Sequence, residues 1–172
     1  MQPKRNHLPE RRGPAHHAPV AIHNEPIVVQ VNICTKDRRP ILACDAVHSL
    51  CRDVWKSADF WRVGLYMIMP DHIHLFCTPG RTPATSLKQW VSFWKSRIAS
   101  KCPLDAIAKE TDNRSSIADK LWQRDYWDTQ MRSREHYEEK LSYVRLNPVR
   151  KNLVSSTEEW PYQGVIHPIQ WL

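Results

Sequence analysis

With 172 residues, 41% of them hydrophobic and 25% charged, the chain has the size and composition of one globular domain, which excludes fibrous and wholly disordered classes. Its longest apolar run, Leu65 to Met69, is far shorter than the roughly 20 residues of a membrane-spanning helix, and no apolar signal core opens the chain, so a cytoplasmic protein with no membrane partner is expected. Lys and Arg outnumber Asp and Glu by 25 to 18, for a net charge of +7, which favours a polyanionic partner.

In chain order, residues 1–25 set Pro3, Pro9, Pro14 and Pro19 among Lys4, Arg5, Arg11 and Arg12 with almost no apolar periodicity, which predicts a mobile basic arm. From Pro26 the pattern changes: Val29, Val31 and Ile33 alternate with Gln30, Asn32 and Cys34, the period of a half-buried strand. Ala43, Val47, Leu50, Cys51 and Val54 recur at helical spacing, and Val63, Leu65, Met67 and Met69 then return to spacing two. Pro70-Asp71 is turn chemistry, and Ile73, Leu75 and Cys77 resume the alternation, so the second and third strands form a tight hairpin.

Leu87, Trp90, Val91, Trp94 and Ile98 mark a second helix, with Trp90 and Trp94 on its core stripe; Pro103 to Lys120 reads as a loop. A fourth strand is expected around Trp127, Thr129 and Met131, and a last helix from Ser133, a good N-cap, to about Asn147-Pro148. The expected class is α+β: a ferredoxin-like βαββαβ antiparallel sheet, helices on one face and the other face available, followed by a C-terminal helix. The five cysteines, Cys34, Cys44, Cys51, Cys77 and Cys102, form no CxxC pair, which argues against a disulfide framework or zinc ribbon.

His72 and His74 flank Ile73, so both imidazoles leave the same strand face, opposite to Ile73, Leu75 and Cys77. Paired neutral imidazoles can ligate a divalent metal, although an HxH pair alone is as often a packing pair as a ligand pair. The last helix offers a counterpart. Tyr137, Leu141 and Val144 make its apolar stripe, whereas Tyr143 falls about 120° away at 100° per residue, on a polar seam with His136, Lys140 and Asn147. The bland alternative is a solvated face with Asn147 as a helix-end residue.

A phenol of pKa about 10 is a poor nucleophile at neutral pH, but beside a metal-polarised phosphate its oxygen can attack phosphorus and form a phosphotyrosine. Asn147, one turn on, could add an oxygen ligand to the two histidine nitrogens. From Gly80 to Pro103 the chain holds Arg81, Lys88, Lys95, Arg97 and Lys101 and no acidic residue, a phosphate-binding stretch in which Lys88 and Lys95 should follow one phosphate run. Arg145, Arg150 and Lys151 beside the tyrosine helix form a second basic group.

Met69-Pro-Asp-His-Ile-His-Leu75 resembles the HUH motif of the REP-associated tyrosine transposases, relatives of the single-tyrosine transposases of small bacterial insertion sequences. Leu121-Trp-Gln-Arg-Asp-Tyr-Trp-Asp128 looks like that family's segment before its last helix, Tyr143-Val-Arg-Leu-Asn-Pro-Val-Arg150 like its tyrosine helix, and Trp160-Pro-Tyr162 like a recurrent C-terminal element. The resemblance implies a nuclease that nicks single-stranded DNA next to an imperfect hairpin, using Mg2+ or Mn2+ through a 5′-phosphotyrosine, and transfers the strand. It carries His72 and His74 over as metal ligands, Tyr143 as the nucleophile and Asn147 as a third ligand, and implies a bacterial, nucleoid-associated protein acting as a monomer. The chain then divides into the arm, residues 1–25, an HUH transposase domain, residues 26–154, and a C-terminal extension, residues 155–172.

The main competing reading is a domesticated protein that binds hairpin DNA without cleaving it. A two-histidine RNA phosphoesterase would need a second His-x-Ser/Thr motif, and no other histidine has Ser or Thr two residues later. A rolling-circle replication initiator shares the histidine chemistry but usually brings a helicase domain, for which this chain is too short.

Overall fold

The computed structural model describes residues 16, 18–20, 26–81, 84–102, 117–169 and 171. Along the chain these form β1 (Val29–Cys34), α1 (Asp45–Ser57), β2 (Trp61–Ile68), β3 (His72–Pro79), α2 (Leu87–Lys101), α3 (Ile117–Leu121), β4 (Trp127–Gln130), α4 (Arg134–Arg145), α5 (Asn147–Arg150) and β5 (Gln163–Val165). The strands make one antiparallel sheet in the order β4-β1-β3-β2-β5. The α+β class and the expected β-α-β-β-α-β succession are both present, with β5 added at the free edge of β2. The loop expected from Pro103 to Lys120 lies mostly outside the described residues, and its described end is the short helix α3.

Alternation sets the layers. Val29, Val31 and Ile33 pair across the sheet with Cys77, Leu75 and Ile73, and this face packs on α1 and α2. Trp55, Trp61, Trp90, Trp94 and Trp122 are fully buried there, in tilted and edge-to-face ring contacts that match ring quadrupoles. Several indoles also reach backbone acceptors: Trp90 Nε1 donates to Ala58 O at 2.7 Å and Trp61 Nε1 to Thr85 O at 2.8 Å.

The opposite face is left available only in part, over β1 and β4, where Trp127 and Thr129 are exposed; the sequence expectation of an open face fails over β2 and β3. Val28, Leu65, Met67, Met69, Phe76, Met131, Val144 and Trp160 form a second core, with Tyr137 and Leu141 of α4 packed against it. The run Leu65 to Met69 carried the signal: a strand apolar at every position is buried on both faces, whereas alternation alone describes only one.

The C-terminal boundary also moves. Trp160 Nε1 donates to Ile68 O at 3.0 Å, Ile68 N donates to Tyr162 O at 2.8 Å, and β5 pairs with β2. Residues 155–169 therefore belong to the domain and are not an extension from it. Gly164 permits this pairing, because a Cβ there would lie 2.7 Å from the Tyr66 hydroxyl.

Most of the arm expected over residues 1–25 lies outside the described residues, but its described parts are docked on β4. The His16 ring stacks on Tyr126 with centroids 4.1 Å apart, its Nδ1 lies 2.6 Å from Asp128 Oδ1, and the Gln130 side-chain amide pairs with both the N–H and the carbonyl of Val20. A segment held along a sheet edge by polar contacts needs no apolar period, which is why none is visible.

Ser133 caps α4 as expected, its Oγ accepting from His136 N at 3.2 Å. The helix ends earlier than expected, at Arg145, and Pro148 does not terminate it: Leu146 keeps φ −77 and ψ −5, and the chain re-enters a helical turn with Pro in its first positions. A proline there gives up an N–H that had no helical partner anyway.

Candidate metal and tyrosine site

β3 begins directly after the Pro70-Asp71 turn, and its strand period sends His72 and His74 to the face beneath α4 and α5. Both imidazoles are buried, and the buried Asn147 side chain reaches them from α5. The site thus unites three of the residues singled out in the sequence. His72 Nε2 and His74 Nε2 face each other at 3.1 Å, and Asn147 Nδ2 donates to His74 Nε2 at 2.8 Å.

Behind His72 stands a polar relay. Its Nδ1 is 2.6 Å from Asp71 Oδ1, while Asp71 Oδ2 is 2.8 Å from Arg38 Nε. Arg38 reaches this point from a tight turn after β1 in which Asp37 and Arg38 take φ 55 and 56, left-handed values that cost a non-glycine residue roughly 1 kcal/mol or more. Neither Arg38 nor Asp71 was assigned a role from sequence. The signal available was only the adjacency of Asp71 to His72, since Arg38 is more than thirty positions earlier.

Burial lowers the pKa of His72 against the pull of Asp71, and it lowers that of His74 to about 3, with His72 adding to the effect. Both rings are therefore neutral at physiological pH. The Asp71 carboxylate holds the His72 proton on Nδ1, which leaves a lone pair on Nε2. Asn147 Nδ2 lies 2.8 Å from His74 Nε2, and His74 Nδ1 is buried with no partner. The two Nε2 atoms, 3.1 Å apart, form a hydrogen bond when either ring carries its proton there and present two lone pairs to a cation when neither does.

That observation tests the implied metal. Two imidazole nitrogens bound at about 2.0–2.1 Å and at right angles to one ion would stand about 3 Å apart, and these stand at 3.1 Å. Among the described residues no group of three His, Cys, Asp or Glu side chains forms a ligand set. The third protein position falls to Asn147, whose amide oxygen and nitrogen exchange places by a half-turn. The donor set fits a divalent ion that keeps further positions for water or phosphate oxygens.

Tyr143 lies on α4 one turn before Asn147 and is 49% exposed, in keeping with its position off the apolar stripe, while Val144 beside it is fully buried. The Arg150 guanidinium stands 4.7 Å from the Tyr143 ring centroid, a cation–π contact. Arg38 and Lys151 also act on His72 as positive charges, against the larger pull of the Asp71 carboxylate.

The basic stretch is placed elsewhere. α2 packs on the face opposite the histidines. Lys95 is a correction to the expected phosphate run: it is 8% exposed, and its Nζ donates to Gln123 O at 2.8 Å and Arg124 O at 3.2 Å. Burial drew this lysine into capping the carbonyls that follow Trp122. Lys88 and Lys101 are exposed, Arg81 pairs with Asp59 at 2.8 Å, and Arg97 lies over Phe93 at 5.4 Å. Arg145 and Arg150, both exposed, stand on α4 and α5 with Tyr143 and Asn147.

No protein-family model matches the chain. A REP-associated tyrosine transposase of Haemophilus influenzae is 24% identical over 112 residues, covering 60% of this chain and 62% of that protein. The REP-associated tyrosine transposase of Escherichia coli is 20% identical over 118 residues, covering 64% of this chain and 62% of that protein. This chain thus spans about 62% of the length of the curated relatives it matches. Among solved structures, a REP-associated tyrosine transposase bound to a REP hairpin aligns with a TM-score of 0.66 at 16% identity, over 91% of this chain and 82% of that one. In its motifs and in its α+β backbone, this chain resembles the REP-associated tyrosine transposases.

Proposed function

We propose that this protein is a metal-dependent endonuclease and strand transferase acting on single-stranded DNA beside REP-like hairpins, with Tyr143 as its nucleophile. The observation that carries the reading is the buried pair of imidazoles with Nε2 atoms 3.1 Å apart, joined by Asn147, with a half-exposed tyrosine one helical turn away. A likeness in sequence to REP-associated transposases, one of whose solved relatives holds a REP hairpin, supports the choice of DNA.

In this reading His72, His74 and Asn147 hold Mg2+ or Mn2+, and the bound ion supplies charge stabilisation to the phosphate oxygens. Asp71 fixes the His72 tautomer, and Arg38 holds Asp71. The Tyr143 oxygen attacks phosphorus, the bond from phosphorus to the 3′ oxygen breaks, and the strand is left as a 5′-phosphotyrosine and a free 3′ hydroxyl. The phenol proton leaves to solvent and one proton returns to the departing 3′ oxygen. Attack by a 3′ hydroxyl on the phosphotyrosine reverses these bonds and completes strand transfer. Arg150, over the Tyr143 ring, and Arg145 supply positive charge beside the scissile phosphate. All these groups come from one chain, which supports action as a monomer.

The test is covalent capture on a labelled hairpin oligonucleotide with single-stranded flanks. Wild type should form a denaturant-resistant adduct, and Tyr143→Phe should form none while binding the hairpin with similar affinity, because only the attacking oxygen is removed. An adduct that persists in Tyr143→Phe would move the nucleophile elsewhere. Hairpin binding without any adduct in wild type would leave the reading of a DNA-binding protein that does not cleave.

A further inference from the structure

Among the described residues the site face is only partly roofed. α4 and the C-terminal segment cover its β2 and β3 half, whereas over β1 and β4 it carries Gln30, Asn32, Trp127 and Thr129, alternate residues that share a face with His72 and His74. The register puts Met67, His74, Asn32 and Trp127 in one row across four neighbouring strands. At ~4.8 Å between strands, Trp127 stands ~10 Å along that row from His74.

Trp127 is 52% exposed, unlike the five tryptophans of the opposite core, and Thr129 beside it is exposed too. Asn32, between Trp127 and His74, has a buried Oδ1 with no partner. The strip therefore offers an indole face, two amides and a hydroxyl, and none of its four side chains is charged. The cations stand at the phosphate end of the row instead, where Arg38 and Lys151 act on His72. This divides the surface as nucleic-acid sites divide, with charge for phosphates and neutral planar groups for bases.

We infer that this strip is the base-contacting floor for the single-stranded DNA that flanks the phosphate at the histidines, with Trp127 as its stacking platform and the Gln30 amide beside it to face base edges. The inference rests on the DNA reading above. A single strand can lay its bases on the strip, whereas a duplex keeps its base faces stacked inside, so the strip recognises the unpaired flank and not the hairpin stem. Trp127 is the residue on which this recognition turns.

The experiment is equilibrium binding in EDTA, so that neither the metal nor cleavage enters the readout. The full chain is titrated with one DNA hairpin, either blunt or carrying an oligothymidylate tail at its 5′ or its 3′ end. Wild type should bind one tailed form more tightly than the blunt form. Trp127→Ala should weaken binding of that tailed form roughly tenfold, the order expected for one base–aromatic stack, and leave the blunt hairpin unchanged. Trp127→Phe should restore most of the loss, since a ring is kept. The inference is overturned by a tail preference that survives in Trp127→Ala, by an equal loss for blunt and tailed DNA, or by a wild type that gains nothing from either tail. The cleavage reading fails separately, as a wild type that forms no Tyr143-dependent adduct, and a wild type that binds no form of the DNA removes both.

Discussion

Against α1 and α2 the sheet presents Val31, Ile33, Ile73 and Leu75 to Trp55, Trp90 and Trp94, all buried and none titratable, while the reverse face buries His72, His74 and Asn147 among Met67, Met69, Phe76 and Val144. Depth is similar on the two faces, and the kind of polar group each buries is not. On the helical face Lys95 and the indoles of Trp61, Trp90 and Trp122 find backbone carbonyls, although Trp55 Nε1, Trp94 Nε1 and the Tyr126 hydroxyl do not. On the site face two imidazole Nε2 atoms face each other at 3.1 Å, and His74 Nδ1 and Asn32 Oδ1 have no partner. The helical face supplies the frame on which the other face brings two imidazoles and an amide together.

Three changes would break or sharpen this contrast, in descending order of expected effect. Ala at His72 or His74 should reduce adduct formation on hairpin DNA below detection, and it should also remove the stabilisation that added Mn2+ gives wild type, about 2.7 kcal/mol at a hundredfold excess over Kd. Thermal unfolding with and without Mn2+ reads the second effect, and equal stabilisation of His74→Ala would put the ion elsewhere. Next, Trp94→Ala on the helical face should cost about 3–5 kcal/mol in urea unfolding, because a fully buried indole in contact with three other rings cannot be replaced by collapse. A loss below about 1 kcal/mol would mean that this core is not the frame.

The smallest effect separates the two basic groups. Lys95→Met should cost about 1–3 kcal/mol of stability, since two backbone carbonyls lose a charged donor. It should leave the salt dependence of DNA binding unchanged. Arg150→Gln, beside Tyr143, should instead reduce the log–log salt slope by about 0.7, the value for one phosphate contact on a single strand. A shallower slope for Lys95→Met, with none for Arg150→Gln, would return DNA binding to the α2 side.

Much of the site was legible along the chain because its logic is periodic. Strand spacing alone says that His72 and His74 share a face, helical spacing says that Tyr143 avoids the Tyr137, Leu141 and Val144 stripe, and Ser133 announces its helix through the hydrogen bond it can accept. The order of strands and helices followed from the same two periods. These are local properties, settled by backbone geometry whatever the chain packs against.

What lies across the sheet from a residue is not local, and there only the folded molecule could decide. The roof over the histidines comes from α4 and from Trp160, which donates to Ile68 across 92 positions of sequence, and His16 meets Asp128 across 112. Lys95 reads from sequence as one more exposed cation in a basic run, because charge and spacing do not reveal that Gln123 and Arg124 will bring two carbonyls to its ammonium. Arg38 acquires its place behind Asp71 through a left-handed turn that Asp37 tolerates but that nothing in Arg38 itself announces. Sequence determined which groups each element presents, through the fixed repeat of strand and helix; the tertiary structure decided which of them meet, because burying both faces of one sheet requires contacts between residues far apart in the chain.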